Sequence, residues 1–383
     1  MERPQSSMGI ERPVTNPRVR QRSGANGRIR MYAHRQWRKW LDRPLEASLD
    51  ISGRCDLSCV SCNMWSEPHS SEQNTKFWSN LMGDLTGMGV RRVVLIGAEP
   101  LMRNDIGQII QASRGHKLRV TVFTNGYRLV KYAQELVHSG VDRLVLSLDG
   151  PEAAVHNGLR AMDGVFEMAL EGWHLVGEEA LKQKVTIPRG MFHTTVSIAN
   201  VRMIPEMFAL AKQEKVGLTL QAISQVPKEE IQKCRRGRNI IASRQYISND
   251  GDLWLSEKAA VRLKQRLRQL GEGRKNISAR VLMSLSNQHL TTGTFPIISC
   301  AHVHHTISVN PQGIVYPCAM LRNYHYGSLE DNSVVEIWKG KKRREFLKSL
   351  KKEFFPVCKY CCHYLNNLTP AQMTRVLFGV TLP

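Results

Sequence analysis

Long hydrophobic runs are missing from this chain. Its apolar stretches are as short as Val93–Ile96, far below the ~20 residues of a membrane-spanning helix, so no span is expected. A charged-then-apolar secretion signal is missing too. The first 40 residues are basic and polar, which points to a cytoplasmic location. No internal repeat is visible, which excludes a solenoid or propeller. Acids are scarce, 33 Asp and Glu against 54 Lys and Arg, for a net charge of +21. Apolar content, by contrast, is ordinary at 42%, with 7 Trp and 10 Phe, and excludes a wholly disordered chain. The 383 residues suffice for about two domains. In a reducing compartment, 9 cysteines argue for metal or catalysis rather than disulfides.

The charge is concentrated. Residues 1–43 hold 11 Lys and Arg against 3 acids, residues 228–280 hold 14 against 6, and residues 339–352 hold 8 against 1. Everything else is near neutral. Such patches first suggest nucleic acid, but a solvated helix face or an anionic substrate explains them as well. Residues 1–43 read as a basic, disordered tail. Within it Ile29–Leu41, with Trp37 and Trp40 on one face, has the spacing of a short amphipathic helix.

From residue 45 a rhythm sets in. Strands are predicted at Leu45–Ile51, Arg91–Ile96, Arg119–Thr124, Arg143–Leu148, Phe192–Ile198 and Leu218–Gln221. Helices are predicted at Phe77–Met88, Ile106–Ser113, Leu129–Ser139, Val165–Leu181 and Ile204–Glu214. This alternation is the mark of a parallel sheet with helical crossovers. Six such strands are too few for a closed eight-stranded barrel and fit a partial barrel or a doubly wound sheet. In either case function gathers at the C-terminal ends of the strands. The unusual residues fall there: a cysteine group after the first strand, Gly97-Ala98-Glu99-Pro100 after the second, Asn125-Gly126 after the third, Asp149-Gly150 after the fourth. Residues 227–298 read as a basic helical connection. Residues 299–365 read as a small cysteine-rich α+β unit, with a hairpin turn at Asn310-Pro311-Gln312-Gly313 and one helix near Val334–Leu350. Residues 366–383 are a C-terminal tail.

Cys55, Cys59 and Cys62 are spaced C-x3-C-x2-C directly after the first strand. Three thiolates on one loop can wrap one metal centre, whereas zinc prefers four ligands and C-x2-C pairs. Three thiolates also leave one iron of a 4Fe–4S cluster open to a cosubstrate. With these residues the chain resembles the radical S-adenosylmethionine (SAM) superfamily. The resemblance implies a partial (β/α)6 barrel in which Cys55, Cys59 and Cys62 hold a 4Fe–4S cluster. The open iron would chelate S-adenosyl-L-methionine, and one electron would cleave the sulfonium to methionine and a 5′-deoxyadenosyl radical that takes a hydrogen atom from substrate. It further implies cosubstrate contacts from Gly97 and Glu99 to the ammonium, from Asn125, from Ser147 and Asp149 on the ribose side, from Arg160 to the carboxylate, and from Asn200. Ala98 replaces a second glycine of the family's motif. Ser61 stands where many members carry an aromatic residue or methionine beside the adenine. A one-electron reductant of the flavodoxin or ferredoxin type is implied as partner.

A second set begins at Cys300, followed by 12 residues, Gly313, 4 more and Cys318; after a gap of 39 come Cys358, Cys361 and Cys362. Four thiolates suit a second cluster, with four-cysteine zinc as the competitor on ligand type. The stretch Ile307–Cys318, with Tyr326-Gly-Ser-Leu-Glu and Val335-Glu-Ile-Trp338, resembles the auxiliary-cluster domain of the SPASM/twitch group. The shortened cysteine run implies one auxiliary 4Fe–4S cluster on Cys300, Cys318, Cys358 and Cys361. Cys362 or His363 is the spare that could replace Cys361. Cys234 reads as a structural or surface thiol, with hydrogen donation to a substrate radical as the alternative. His302, His304 and His305 are expected on a strand, as polar neighbours of the cluster or as acid–base groups.

The expectation is an oxidoreductase-type radical SAM enzyme, acting on a small molecule such as a cyclitol, amino sugar or nucleotide by oxidation or epimerisation. A ribosomal-peptide maturase is the alternative. It is disfavoured by a short, charged N-terminal segment with no room for a peptide-binding domain. The end Val380-Thr-Leu-Pro383 lacks the Gly-Gly tail of the molybdopterin-pathway enzyme. A non-catalytic iron–sulfur or zinc protein that binds nucleic acid is the reading from another class, and would leave Glu99 and Arg160 idle.

Overall fold

The computed structural model describes residues 42–66, 71–245, 247 and 253–382; the Ile29–Leu41 helix and all of the expected tail but residues 42 and 43 lie outside them. Six strands, β1 (Glu46–Ser52), β2 (Arg92–Gly97), β3 (Arg119–Thr124), β4 (Arg143–Ser147), β5 (Arg189–Val196) and β6 (Gly217–Ala222), run parallel and neighbour one another in chain order. The helices between them are α1 (Thr75–Gly87), α2 (Ile106–Gly115), α3 (Leu129–His138), α4 (Ala153–Arg160), α5 (Val165–Lys182) and α6 (Ile204–Gln213). Strands such as Arg-Val-Val-Leu-Ile-Gly are rich in β-branched residues because both faces of a parallel sheet are covered. α1 shows the complementary pattern. Asn74 accepts the Phe77 N–H at its start, and Trp78, Leu81, Met82 and Leu85, spaced for one face, are buried, each contributing roughly 1.5–3 kcal/mol of apolar transfer. Helices α3 and α5 cross at Gly172, where a Cβ would lie 2.6 Å from that of Leu129.

A two-stranded turn, β7 (Arg235–Arg236) with β8 (Asn239–Ile240), lies in the helical connection. The C-terminal hairpin does not stand apart from the barrel. β9 (Thr306–Val309) pairs in parallel with β1, Glu46 opposite Thr306, and β10 (Ile314–Tyr316) and β11 (Gly327–Ser328) continue antiparallel. The sheet therefore has nine strands in the order β11-β10-β9-β1-β2-β3-β4-β5-β6. β1 would otherwise be an open edge, and the hairpin covers it.

Several local expectations are corrected. β5 starts and ends earlier than Phe192–Ile198, at Arg189–Val196. The predicted helix at Val334–Leu350 is two, Val334–Lys339 and Lys341–Lys352, broken at Gly340, where a Cβ would sit 3.0 Å from the Glu336 and Ile337 carbonyls. His302–His305 form a helical turn, not a strand, so His302 and His304 do not share a face as alternation requires. Helix α4 was not foreseen, because Gly158 interrupts a short polar stretch.

Most of the basic Lys341–Lys352 helix faces solvent, but Arg343 is only 1% exposed. Its guanidinium lies 3.5 Å from the Trp338 ring centroid and donates to the carbonyls of Trp338 (3.1 Å) and Val303 (3.0 Å) and to both carboxylate oxygens of Asp42 (2.9 and 2.6 Å). Burial raises the Asp42 carboxyl, but hydrogen bonds from Arg343 and His304 outweigh it and hold it at about 2. Arg343→Ala should cost about 3 kcal/mol, from unpaired carbonyls and lost packing. A depressed carboxylate stabilises the fold above its unfolded value near 3.8 and loses that contribution as pH falls toward the folded value. Urea unfolding at neutral pH should show the loss, and between pH 4 and pH 2 the variant's stability should fall less steeply than the parent's (~2 units of window, set by the two values).

Candidate active site

The loop after β1 carries the first three cysteines, and its root is clamped by a residue the sequence did not single out. Glu72 accepts from Ser52 Oγ (2.9 Å), the Gly53 N–H (2.9 Å) and the Arg54 guanidinium (3.1 and 3.2 Å). Burial raises the Glu72 carboxyl, but these donors outweigh it and hold it below its ordinary value. Arg103, itself buried, donates to the Ile51 carbonyl at 3.0 Å and pairs with Asp105 at 2.7 Å. Inside the loop, Asp56 accepts from Asn125 Nδ2 (3.0 Å) and Arg128 Nε (2.7 Å), tying the loop to the end of β3.

Cys55, Cys59 and Cys62 are each partly buried, and no disulfide joins any of the 9 cysteines. Burial pushes the Cys55 thiol up to about 12, opposed by the Leu57 N–H and reinforced by Glu99, Cys59 and Asp56. Cys62 is raised for the same first reason, with Arg160 and Arg322 pulling the other way. Cys55 and Cys62, as desolvated thiols, are poor bare thiolates, and with Cys59 they offer three soft donors suited to a cationic iron centre, which lowers thiol pKa outright.

At the end of β2, Gly97 has φ +135, and a Cβ there would lie 2.2 Å from the Ser52 carbonyl oxygen; only glycine lets β2 pass the root of the cysteine loop. Glu99 is fully buried. Its carboxylate accepts from the N–H groups of Leu101 (2.8 Å) and Asn125 (2.7 Å) and from Thr124 Oγ1 (2.9 Å). Burial raises it to about 7 in spite of those bonds. Asn125 Nδ2 lies 3.8 Å from Cys55 Sγ. Ser147 is the last residue of β4, opposite His193 on β5.

Arg160, at the end of α4, pairs with Asp149 at 2.7 Å and points Nη1 at Cys59 Sγ, 3.8 Å away. Burial disfavours its charge, but Asp149 and Cys59 more than offset this and keep it cationic. Asp149 is fixed in turn: its carboxylate accepts the Thr195 N–H (2.8 Å), its own N–H donates to His156 Nδ1 (3.0 Å), and its carbonyl accepts from Asn200 Nδ2 (2.8 Å). Asn200 also bonds the Thr195 carbonyl and the Ser197 N–H, each at 2.8 Å. Burial and the neighbouring Arg160 drive His156 down to about 3, so it is a neutral acceptor. Asn200 thus braces the loops on which Asp149 sits, while Asn125, Asp149 and Arg160 come together beside the cysteine loop.

The second set assembles under the hairpin. Burial pushes Cys318 well up, followed by its neighbours Cys300, Cys361 and Cys362. Cys358 is raised by burial and then by Cys318 and Cys300, and Cys361 by burial and then by Cys362, Cys300 and Cys358. The five thiols therefore share one desolvated neighbourhood. Cys234 is buried, not a surface thiol, and lies near enough to Cys358 to raise it. His302 stacks on His363 at 4.2 Å, and His304 faces Asp42 at 3.4 Å. Among the described residues no three His, Cys, Asp or Glu side chains form a ready single-ion cage, so both sets are assigned by donor chemistry. Soft, desolvated thiols suit iron–sulfur clusters.

Between the two sets lies an unforeseen polar group. Asp50, buried on β1, accepts from Tyr316 Oη and from Arg322 Nη2, both at 2.8 Å. Arg322 Nη1 reaches Met64 Sδ (3.6 Å) and Gln245 Oε1 (3.4 Å). An acid at an inward position of β1 was the available signal; its partners lie more than 250 residues away in sequence.

Comparison with known proteins agrees with this arrangement. Residues 49–197 match the family model described as the radical SAM superfamily, and residues 300–362 match SPASM, an iron–sulfur cluster-binding domain. The chain is 32% identical over 167 residues to an AdoMet-dependent heme synthase of Methanosarcina barkeri, 43% of this chain and 46% of that protein. It is 35% identical over 112 residues to a probable GTP 3′,8-cyclase of Methanopyrus kandleri, 29% of this chain and 36% of that one. The chain therefore matches less than half the length of these relatives. The Streptococcus suis SuiB structure bound to S-adenosylmethionine superposes with a TM-score of 0.61 at 16% identity, over 89% of this chain and 77% of that one, a likeness of fold. Among the described residues no helix is long and apolar enough to cross a membrane. With its cysteine loop at the end of β1, its parallel barrel and its second thiol set under the hairpin, the chain carries a radical SAM domain followed by a SPASM domain, which together imply bound 4Fe–4S clusters and S-adenosylmethionine.

Proposed function

We propose that this chain cleaves S-adenosylmethionine reductively and takes a hydrogen atom from a small anionic molecule, oxidising or epimerising it. The observation that carries the reading is the convergence of Cys55, Cys59 and Cys62 with Asn125, Asp149 and Arg160 at consecutive strand ends. The 4Fe–4S cluster and its bound cosubstrate, when present, supply the electron and the 5′-deoxyadenosyl radical. The protein's part is to hold and orient. Arg160, kept cationic beside Cys59, is placed to take a carboxylate, and its planar fork suits that group. Asp149 would serve the ribose side, with Ser147 beside it. Gly97 brings β2 close, and Glu99 with Asn125 forms the wall on the ammonium side. Asn200 braces Asp149 through its carbonyl.

Cys300, Cys318, Cys358 and Cys361 are proposed to hold one auxiliary cluster. In an oxidation the substrate loses a hydrogen atom and then a proton and an electron; full thiolate ligation suits the auxiliary site to receive that electron. A flavodoxin- or ferredoxin-type carrier would supply the reducing electron. The small-molecule reading draws support from relatives named for heme synthesis and GTP cyclisation and from Arg322 between the two cysteine sets. Deuterated candidates test it. Deuterium should appear in 5′-deoxyadenosine from carboxylate- or phosphate-bearing small molecules. Transfer from ribosomal peptides alone would overturn the substrate class.

A further inference from the structure

One side chain beyond the matched SPASM segment touches two of the loops that carry the second thiol set. Asn367 ends a short helix, Tyr364–Asn367, and is only 2% exposed. Its Oδ1 accepts two successive backbone N–H groups, from Ala301 at 2.9 Å and His302 at 3.1 Å. These directly follow Cys300 and open the His302–His305 turn, whose leading N–H groups have no partner within a helix so short. Its Nδ2 lies 3.4 Å from Cys361 Sγ. Amide orientation is often ambiguous, but here two N–H donors on one side require the oxygen there and place the NH2 on the sulfur.

We propose that Asn367 is a positioning residue of the auxiliary centre, which raises the cluster's electron affinity through its hydrogen bond to Cys361 while fixing the loop after Cys300. The inference rests on the auxiliary-cluster reading above. An N–H···S bond stabilises negative charge on sulfur. The reduced cluster carries one more negative charge than the oxidised one, so the bond favours reduction. That is the direction an electron acceptor needs. The two halves of the amide are separable: Asn367→Asp keeps an acceptor for Ala301 and His302 and removes the donor to Cys361, whereas Asn367→Leu removes both.

The test uses the full chain with Cys55, Cys59 and Cys62 changed to alanine, so that iron reports the auxiliary site alone. If this parent binds no cluster, the auxiliary reading itself fails. If it does, Asn367→Asp should keep parental iron and shift the potential to more negative values, while Asn367→Leu should lose iron. Because a new carboxylate also shifts a potential, pulsed EPR on the reduced parent supplies a measurement that needs no variant. Isotopically labelled asparagine should give a nitrogen coupling to the cluster, and Asn367→Asp should abolish it along with one exchangeable-proton coupling. A loaded parent without any asparagine nitrogen coupling, or an Asn367→Asp protein that keeps the parental potential, would overturn the inference.

Discussion

Changing Cys55, Cys59 and Cys62 together to alanine should abolish formation of 5′-deoxyadenosine, a loss of at least about 10³-fold that takes the reaction to background. Iron should fall from about eight to about four atoms per chain, the remainder belonging to the second set. The fold should survive. The loop is held by Glu72, Arg103 and the Asp56 contacts to Asn125 and Arg128 rather than by the thiols. Anaerobic reconstitution, iron determination and chromatography of the nucleoside products check all three parts. Residual 5′-deoxyadenosine at the parental rate would place the chemistry elsewhere in the molecule.

Replacing Cys300 alone should divide the reaction in two. Cys300 adjoins Cys318, Cys358 and Cys361 through their shared raising of one another's thiols, whereas Arg160 meets Cys59 of the first set. Cys300→Ala should therefore leave uncoupled cleavage of S-adenosylmethionine within about threefold of the parent while product formation drops by about 10² or more. Assays of 5′-deoxyadenosine and product on one sample separate the two. Equal loss of both would mean that the second set serves the barrel's integrity and not the later half of the reaction.

Much of this arrangement was legible in the sequence because its signals are local. Strand limits followed from short β-branched runs such as Arg119–Thr124, and the cysteine loop from spacing within 8 residues. What escaped depends on long-range pairing. The addition of β9 to β1 joins residues 46 and 306, and no periodicity announces it. Asp50 acquires meaning only when Tyr316 and Arg322 arrive. The turn at His302–His305 looked like a strand because its N–H partner, the Asn367 amide, lies 65 residues on. Glu99 and Asn200 were picked out by position, and the structure adds that each is engaged by backbone groups of neighbouring loops. The basic segments, which first suggested nucleic acid, include an Arg343 spent inside the protein on Asp42 and Trp338.

Central to the proposed function is that the thiols at the end of β1 arm the chain to split S-adenosylmethionine. Anaerobic reconstitution with iron and sulfide, followed by S-adenosylmethionine and a strong one-electron reductant, tests it without knowledge of the substrate. The expected result is methionine and 5′-deoxyadenosine in equal amounts, dependent on the reductant. A protein loaded with iron and sulfide that returns S-adenosylmethionine intact would contradict the account.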